Sequence, residues 1–298
     1  MLTANISRYR RKYITEDRIF DFCNKALVLF FTLLVFYPLM YILFASISSG
    51  FMVDTGQVRF FPRELTFSAY RMIWSDWLFW RSYANAIFLT TVGSIFSIVV
   101  TASGAYALSK KYMPGNRLFN FLVLFTMWFS AGMIPTFLNL QSLGLLNYGG
   151  LIVGFGISAF NVVILRSAFL GVPYELLDAG KIDGANEIQV FRNISVPSIK
   201  PAIATVWLLY GIGRWNGWFW AMIVIREEQW IPLQVYLRTL IVIRSIQIEA
   251  MDFIILADHS TSTIIYATII CSIVPILIIF PFMQKVFKRG IMEGGLKG

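Results

Sequence analysis

The chain has 298 residues, 57% of them hydrophobic, 16% aromatic and only 14% charged. Soluble domains carry about a quarter of their residues as Asp, Glu, Lys and Arg, so this composition excludes a soluble globular protein and points to a polytopic membrane protein. The net charge of +9 is read as basic residues holding cytoplasmic loops in place rather than as a nucleic-acid footprint, and no nucleic-acid partner is expected.

The N-terminal segment 1–25 carries Arg8, Arg10, Arg11, Lys12 and Arg18. The apolar run that follows, Ala26 to Ile47, is too long for the core of a signal peptide and ends without a small-residue cleavage site, so it reads as a retained first span. Ile14 to Phe22 is expected as a short amphipathic helix along the inner surface. Residues 48–81 form an outer loop in which Trp74, Trp77 and Trp80 recur at spacing three. That pattern is an interfacial aromatic belt or, alternatively, a sugar-stacking surface.

Five further runs approach the roughly 20 residues that cross a bilayer. They are Ser82–Ser109, Leu118–Pro135, Gly149–Leu165, Pro201–Ile225 and Ser260–Gln284, with residues 226–259 as the longer outer loop and 285–298 as a tail. Six spans put both termini on one side. With the N-terminus inside, seventeen Lys and Arg residues fall inside and seven outside, with Arg214 left in the membrane. The orientation is therefore N-in, C-in. Cys23 and Cys271 form neither a disulfide framework nor a metal spacing, and His259 is the only histidine. These counts argue against a metal site or a His-dependent catalytic site.

The stretch from Tyr174 to Pro201 is the longest charged, well-punctuated segment between apolar blocks, and the charge count lands it in the cytoplasm. Pro173 suits the first turn of a helix. Leu176, Leu177, Gly180 and Gly184 follow at helical spacing, with Glu175, Asp178 and Lys181 on other faces. Asp183-Gly184 reads as a turn, with Asp183 as the N-cap of a second helix. The apolar set of that helix is Ile188, Phe191 and Ile194, and Pro197 is expected to end it. A helix pair of this kind suits a groove on a soluble partner. The plainer alternative is an amphipathic connector lying on the membrane surface.

This stretch resembles the EAA loop of bacterial ATP-binding-cassette importer permeases. The matching residues are Glu175, Ala179-Gly180, Asp183-Gly184-Ala185, Phe191 and Pro197. Asp178-Ala179-Gly180 stands where the family has Glu-Ala-Ala. Gly213-Arg214-Trp215-Asn216 resembles the W-N element of carbohydrate permeases. Glu16 to Asp21 is similar to the opening of the Gram-positive complex-oligosaccharide branch, and Gly294-Gly295-Leu296-Lys297-Gly298 to the tail of the maltose-transporter type.

The resemblance implies an all-α integral membrane fold of six transmembrane helices, the type I importer permease, as a single domain over 1–298 in the bacterial plasma membrane. It implies a coupling loop over 173–200 that docks on an ATPase subunit. There Glu175 and Asp178 are rim residues, and Ala179, Gly180 and Gly184 permit close approach. Leu177, Ile182 and Phe191 fill apolar pockets. Asp183, Ala185 and Pro197 complete the motif, and Gly294–Gly298 make a second ATPase contact. The implied partners are a second permease subunit in a heterodimer, two ATP-binding-cassette ATPase subunits, an extracytoplasmic solute-binding protein that the 226–259 loop reaches toward, membrane lipid, and a carbohydrate, expected to be an oligosaccharide.

No G-x-x-x-x-G-K-[ST] occurs in the chain; Ala179-Gly180-Lys181-Ile182 lacks the upstream glycine and the hydroxyl residue. The chain therefore carries no P-loop ATPase of its own, binds no cofactor, and leaves ATP and Mg to a partner. Polar residues at membrane depth are the places to look for substrate contacts. They are Asn139, Asn161, Arg214 and Asn216, with Trp215 and Trp218 as stacking faces. Arg214 can donate to sugar hydroxyls or to a uronic carboxylate; the alternative is a pairing with the partner subunit or a position nearer an interface. The functional alternatives are a permease for peptides or amino acids, and a stand-alone secondary transporter.

Overall fold

The computed structural model describes residues 2–249 and 260–295, with side chains described over 20–243 and 260–281. Among the described residues the architecture is helical, and one isolated antiparallel bridge, Ser48 with Leu65, stands outside the helices. The chain divides into two compact units, 1–73 with 247–271, and 74–246 with 272–298.

In the first unit α1 (Leu2–Ser46) runs without interruption. The separate surface helix expected over Ile14–Phe22 is therefore part of one continuous helix. Its apolar portion, Phe20–Ser46, is 27 residues long, about 40 Å at helical rise and ample for a bilayer. α2 (Gly50–Asp54) follows, then α3 (Ser68–Ser75). Ala45, Val53 and Val58 form a small core against Tyr41, Phe44 and Tyr266, and Ser262 hydrogen-bonds Asp54.

The second unit is built on α4 (Trp77–Ser109), which begins five residues before the expected run because Asp76 caps it through Leu78 N–H at 2.8 Å. Three of the other expected spans are broken, and Ser260–Gln284 stays whole in one helix that starts at Thr261. Leu118–Pro135 becomes α5 (Asn116–Trp128) and α6 (Met133–Ser142), separated at Gly132, whose φ is +85°. Gly149–Leu165 becomes α7 (Tyr148–Val153) and α8 (Ala159–Leu170), and after α8 come α9 (Tyr174–Ile182), α10 (Glu187–Gln189) and α11 (Val196–Ser198). Pro201–Ile225 becomes α12 (Lys200–Trp215) and α13 (Phe219–Val224); α14 (Leu233–Glu249) and α15 (Thr261–Gly295) complete the chain. Among the described residues three helices are long and apolar enough to cross a membrane alone: Phe20–Ser46, Trp77–Ser109 and Thr261–Pro281.

The core of the second unit lies between α4, α8 and α12. Ala102, Ala105, Leu108, Val162, Leu165, Phe169, Val206 and Tyr210 are buried there. α4 presents small side chains, Ser94, Ser97, Thr101, Ala102 and Ala105, which let helix backbones approach where lipid supplies no hydrophobic drive.

Candidate functional site

The 174–198 segment begins where Pro173, at φ −55° and ψ 134°, breaks the helix that precedes it. α9 leaves α8 at 73°. α9 ends in a Schellman motif: Ala185 N–H donates to Gly180 C=O at 3.0 Å and Gly184 N–H to Lys181 C=O at 3.0 Å. Gly184 sits at φ +81° with open space around it. Its conformation, not a close approach, is what the turn requires. Asp183 is thus the C-cap of α9, and the N-cap of the next helix is Asn186. A capping box forms there, with Gln189 N–H on Asn186 Oδ1 at 2.9 Å and Asn186 N–H on Gln189 Oε1 at 2.8 Å.

The second helix does not end before Pro197. α10 passes into a π-helical turn, Val190–Ser195, and on into α11, with Pro197 in its first turn. A wider turn ahead of a proline relieves the clash that its ring makes with the carbonyl four residues back.

Two apolar residues of the expected docking set face their own chain. Leu177 and Phe191 pack against the α4–α8–α12 core. The Phe191 ring lies 4.9 Å from Tyr106 and 6.1 Å from Phe169. That placement does not fit the expectation that these two fill pockets on a partner. Gly180 is buried against its own chain, where a Cβ would collide with Ile194 Cδ1, so the approach it permits here is between the two helices of the segment. Glu175, Asp178, Ala179, Asp183 and Pro197 are exposed, and Ala185 is half-buried. Ile182 and Ile188 stand out into solvent at 85% and 76% exposure.

Glu187, overlooked in the sequence, ties this segment to α4. Its carboxylate accepts from Tyr106 OH at 2.8 Å and Tyr112 OH at 2.7 Å, and Lys181 Nζ lies at 3.1 Å. Lys110 Nζ is 4.0 Å away and sits over the Tyr106 ring. Partial burial opposes ionisation of Glu187. Hydrogen bonds from Tyr112, Tyr106 and Lys181 and the charge of Lys110 outweigh it and bring the carboxyl down to about 2. The hydrogen bond to Glu187 raises Lys181 in turn, while burial pushes the Tyr112 phenol up and its bond to Glu187 adds to that. An acidic residue in the first turn of a helix was visible in the sequence; the tyrosines that hold it were not.

The second candidate region is the break between α7 and α8. Arg214, in the last turn of α12, donates to Leu151 C=O at 3.1 Å, Ile152 C=O at 3.2 Å, Phe155 C=O at 3.3 Å and Ser97 Oγ at 2.9 Å. Leu151 and Ile152 are in the last turn of α7 and Phe155 lies just beyond it; the carbonyls of a helix end lack helical partners, and a cation there also meets the negative end of that helix. A Cβ on Gly93 would lie 2.6 Å from the guanidinium, so α4 needs glycine at that point. One turn earlier on α12, Tyr210 OH lies 2.7 Å from Thr101 Oγ1 and accepts from Ser158 N–H at 2.9 Å. Arg214 and Tyr210 therefore hold both sides of the break, and both meet hydroxyls on α4 spaced four residues apart. Arg214 spends its two terminal nitrogens within its own chain, while its Nε is buried without a hydrogen-bond partner among the described residues.

Trp215 is buried, donating to Ser272 C=O at 3.1 Å. Asn161 is buried, Asn139 and Asn216 are exposed, and Trp218 is 38% exposed beneath Arg238, at 5.3 Å. At the N-terminal end of α4, Asn85 Nδ2 bonds Gln229 C=O at 3.0 Å and Ile231 C=O at 3.1 Å, Arg81 covers Trp230 at 4.6 Å, and Tyr236 OH donates to Asp76 at 2.7 Å. The start of the 226–259 segment is thus bound to that end of α4; its residues 250–259, including His259, lie outside the described residues, as do Leu296, Lys297 and Gly298. Gly294 and Gly295 fall in the last turn of α15.

A family model described as binding-protein-dependent transport system inner membrane component matches residues 114–293. The chain is 36% identical over 282 residues to Protein LplC of Bacillus subtilis (strain 168), covering 94% of this chain and 96% of that protein. It is 34% identical over 285 residues to the polygalacturonan/rhamnogalacturonan transport system permease protein YtcP of the same strain, covering 95% and 100%. Among solved structures it matches a chain of a bacterial ABC transporter involved in the import of the acidic polysaccharide alginate. The TM-score there is 0.85 and the identity 45%, over 91% of this chain and 97% of the other.

Proposed function

This chain belongs to the family of binding-protein-dependent transport system inner membrane components, and on that premise we propose that it is the permease subunit of an ATP-driven importer for a carbohydrate, an oligosaccharide. The substrate class rests on the relatives, whose printed substrates are polygalacturonan/rhamnogalacturonan and alginate. The comparisons lend no support to a peptide or amino-acid permease or to a stand-alone transporter. In the assembly we propose, the chain spans the membrane six times with both termini inside. It pairs with a second permease, receives sugar from an extracytoplasmic binding protein, and rests on two ATPase subunits that carry ATP and Mg. The broken runs around α5–α6, α7–α8 and α12–α13 complete the count of spans.

The observation that carries the reading is the exposed pair Ile182 and Ile188 on a segment that its own chain holds in place. An apolar side chain in water costs free energy unless something covers it, and this pair flanks the Asp183-Gly184-Ala185 turn of the coupling-loop motif. Glu175, Asp178 and Ala179 form the rim of the contact, and Leu177, Gly180 and Phe191 support it from within. The tail 294–298 is the second contact. Along the translocation path, Asn139, Asn216 and Trp218 are the residues free to meet sugar. Arg214, Trp215 and Asn161 shape the path from behind.

The test is co-purification in detergent with the ATPase subunit encoded beside this chain. Ile182→Glu with Ile188→Glu is expected to abolish retention of the ATPase while leaving the permease monodisperse. Retention equal to the parent chain would move the docking surface elsewhere, and a parent chain that holds no ATPase would sink the reading. A bulky residue at Gly184 is a poor probe, because its φ of +81° strains any side chain.

A further inference from the structure

We propose that Glu187 is a positioning residue that couples the docking segment to α4, so that a displacement of α9–α11 is delivered to the long span through Tyr106 and Tyr112. The inference rests on the reading of 174–198 as the ATPase-docking segment.

Without such a clamp the segment is loosely geared to the membrane. Its covalent link to α8 turns through 73° between Leu170 and Tyr174, so the two helices do not continue as one rod. Its apolar contacts through Leu177 and Phe191 are non-directional and tolerate sliding. The Glu187 carboxylate adds direction. It receives one hydroxyl from the last turns of α4, Tyr106 at 2.8 Å, and one from the loop beyond it, Tyr112 at 2.7 Å. Lys181, at 3.1 Å, brings α9 into the same cluster. Glu187 thus joins three pieces of chain at one point, and the capping box of Asn186 and Gln189 fixes its backbone.

α4 is the element through which a push can travel. Its 33 residues make a rod of about 50 Å. The Glu187 cluster is at its inner end, Thr101 and Ser97 engage Tyr210 and Arg214 midway, and Asn85 and Arg81 hold the Gln229–Ile231 strip at its outer end. A single helix therefore touches the docking segment, the membrane-depth break and the outer strip.

The experiment uses the whole importer in proteoliposomes: this chain, its partner permease, the ATPase and the binding protein encoded with them, charged with a mixed polysaccharide digest. The readout is the fold by which the external binding protein stimulates internal ATP hydrolysis, a signal that must cross the membrane. Glu187→Ala is expected to keep the ATPase subunit and the unstimulated hydrolysis rate and to lower the stimulation by up to about fivefold, the scale of losing charge-assisted hydrogen bonds at a half-exposed site. A merely structural role would lower yield and basal rate together. Tyr106→Phe with Tyr112→Phe gives an independent route. The pair should lower stimulation similarly, and combining it with Glu187→Ala should add little, since all three remove one interaction. Unchanged stimulation in Glu187→Ala, or full additivity, overturns the clamp while leaving docking intact. Loss of the ATPase subunit from Glu187→Ala makes Glu187 part of the docking surface and also overturns the clamp. A parent complex without stimulation overturns the docking reading on which the clamp rests.

Discussion

Two of the stretches that depart from regular helix are turned in opposite ways. Within the 174–198 segment the turn itself is fixed by near neighbours in sequence: the Schellman bonds around Gly184, the capping box of Asn186 and Gln189, and Gly180 against Ile194. The break between α7 and α8 is fastened by side chains from distant helices, Arg214 and Tyr210 on α12 and Ser97 and Thr101 on α4. The difference follows exposure. Gly184 and Asn186 are exposed, so water satisfies whatever their caps leave over. Around the second break Leu151, Asn161 and Leu165 are buried, and a freed backbone group there takes its donor from another helix.

The comparison breaks most readily at Arg214. Arg214→Ala leaves the carbonyls of Leu151, Ile152 and Phe155 without their donor and is expected to cost more than about 3 kcal/mol. Thermal unfolding in detergent should show a large loss of stability or no monodisperse protein at all. Stability equal to the parent chain would mean that the break does not depend on α12. Gly184→Val attacks the other region through its positive φ, and an expected cost of about 1–2 kcal/mol should appear as a modest shift in the same melt, with the membrane core intact. Asn186→Ala removes the capping box at about 1 kcal/mol, and helix-resolved hydrogen exchange should localise the loosening to residues 187–195.

The smallest effect belongs to Glu187, which ties the 174–198 segment to α4. Its folded carboxyl is depressed to about 2 from an ordinary 4.5. A depressed carboxyl contributes stability that is fully present above about pH 4.5 and is lost as pH falls toward 2. With the side chain 49% exposed, solvent screening limits the contribution to under about 1 kcal/mol. Glu187→Gln should therefore flatten the fall in melting temperature between pH 5 and pH 3, and a parallel fall in both proteins would remove this carboxylate as the cause.

Much of the 174–198 segment was legible because its code is local. Pro173, the Asp-Gly pair, the apolar spacing and the charges were enough to place a helix pair there. The errors within it are also instructive. Asp183 and Asn186 are both good capping residues, and only the positive φ of Gly184 assigns the first to the end of α9 and the second to the start of α10. Pro197 signals a stop in the sequence, yet the π-turn before it lets the helix continue. Leu177 and Phe191 are apolar residues on a loop expected in the cytoplasm and so were assigned to a partner. They belong to the core of their own chain because α8 and α4 end close beside them.

Composition and local pattern were enough to establish a helical membrane protein, where its apolar runs lie, and that a punctuated helix pair interrupts them. Composition, hydrophobic run length and short-range turn chemistry are properties of neighbouring residues and need no fold to act. Only the tertiary structure decided which of those runs break, that Arg214 and Tyr210 close one break, that Glu187 meets Tyr106 and Tyr112, and that Ile182 and Ile188 are left uncovered. Those outcomes depend on which helix faces are brought together, and buried polar groups take their partners from wherever in the chain a matching donor or acceptor arrives.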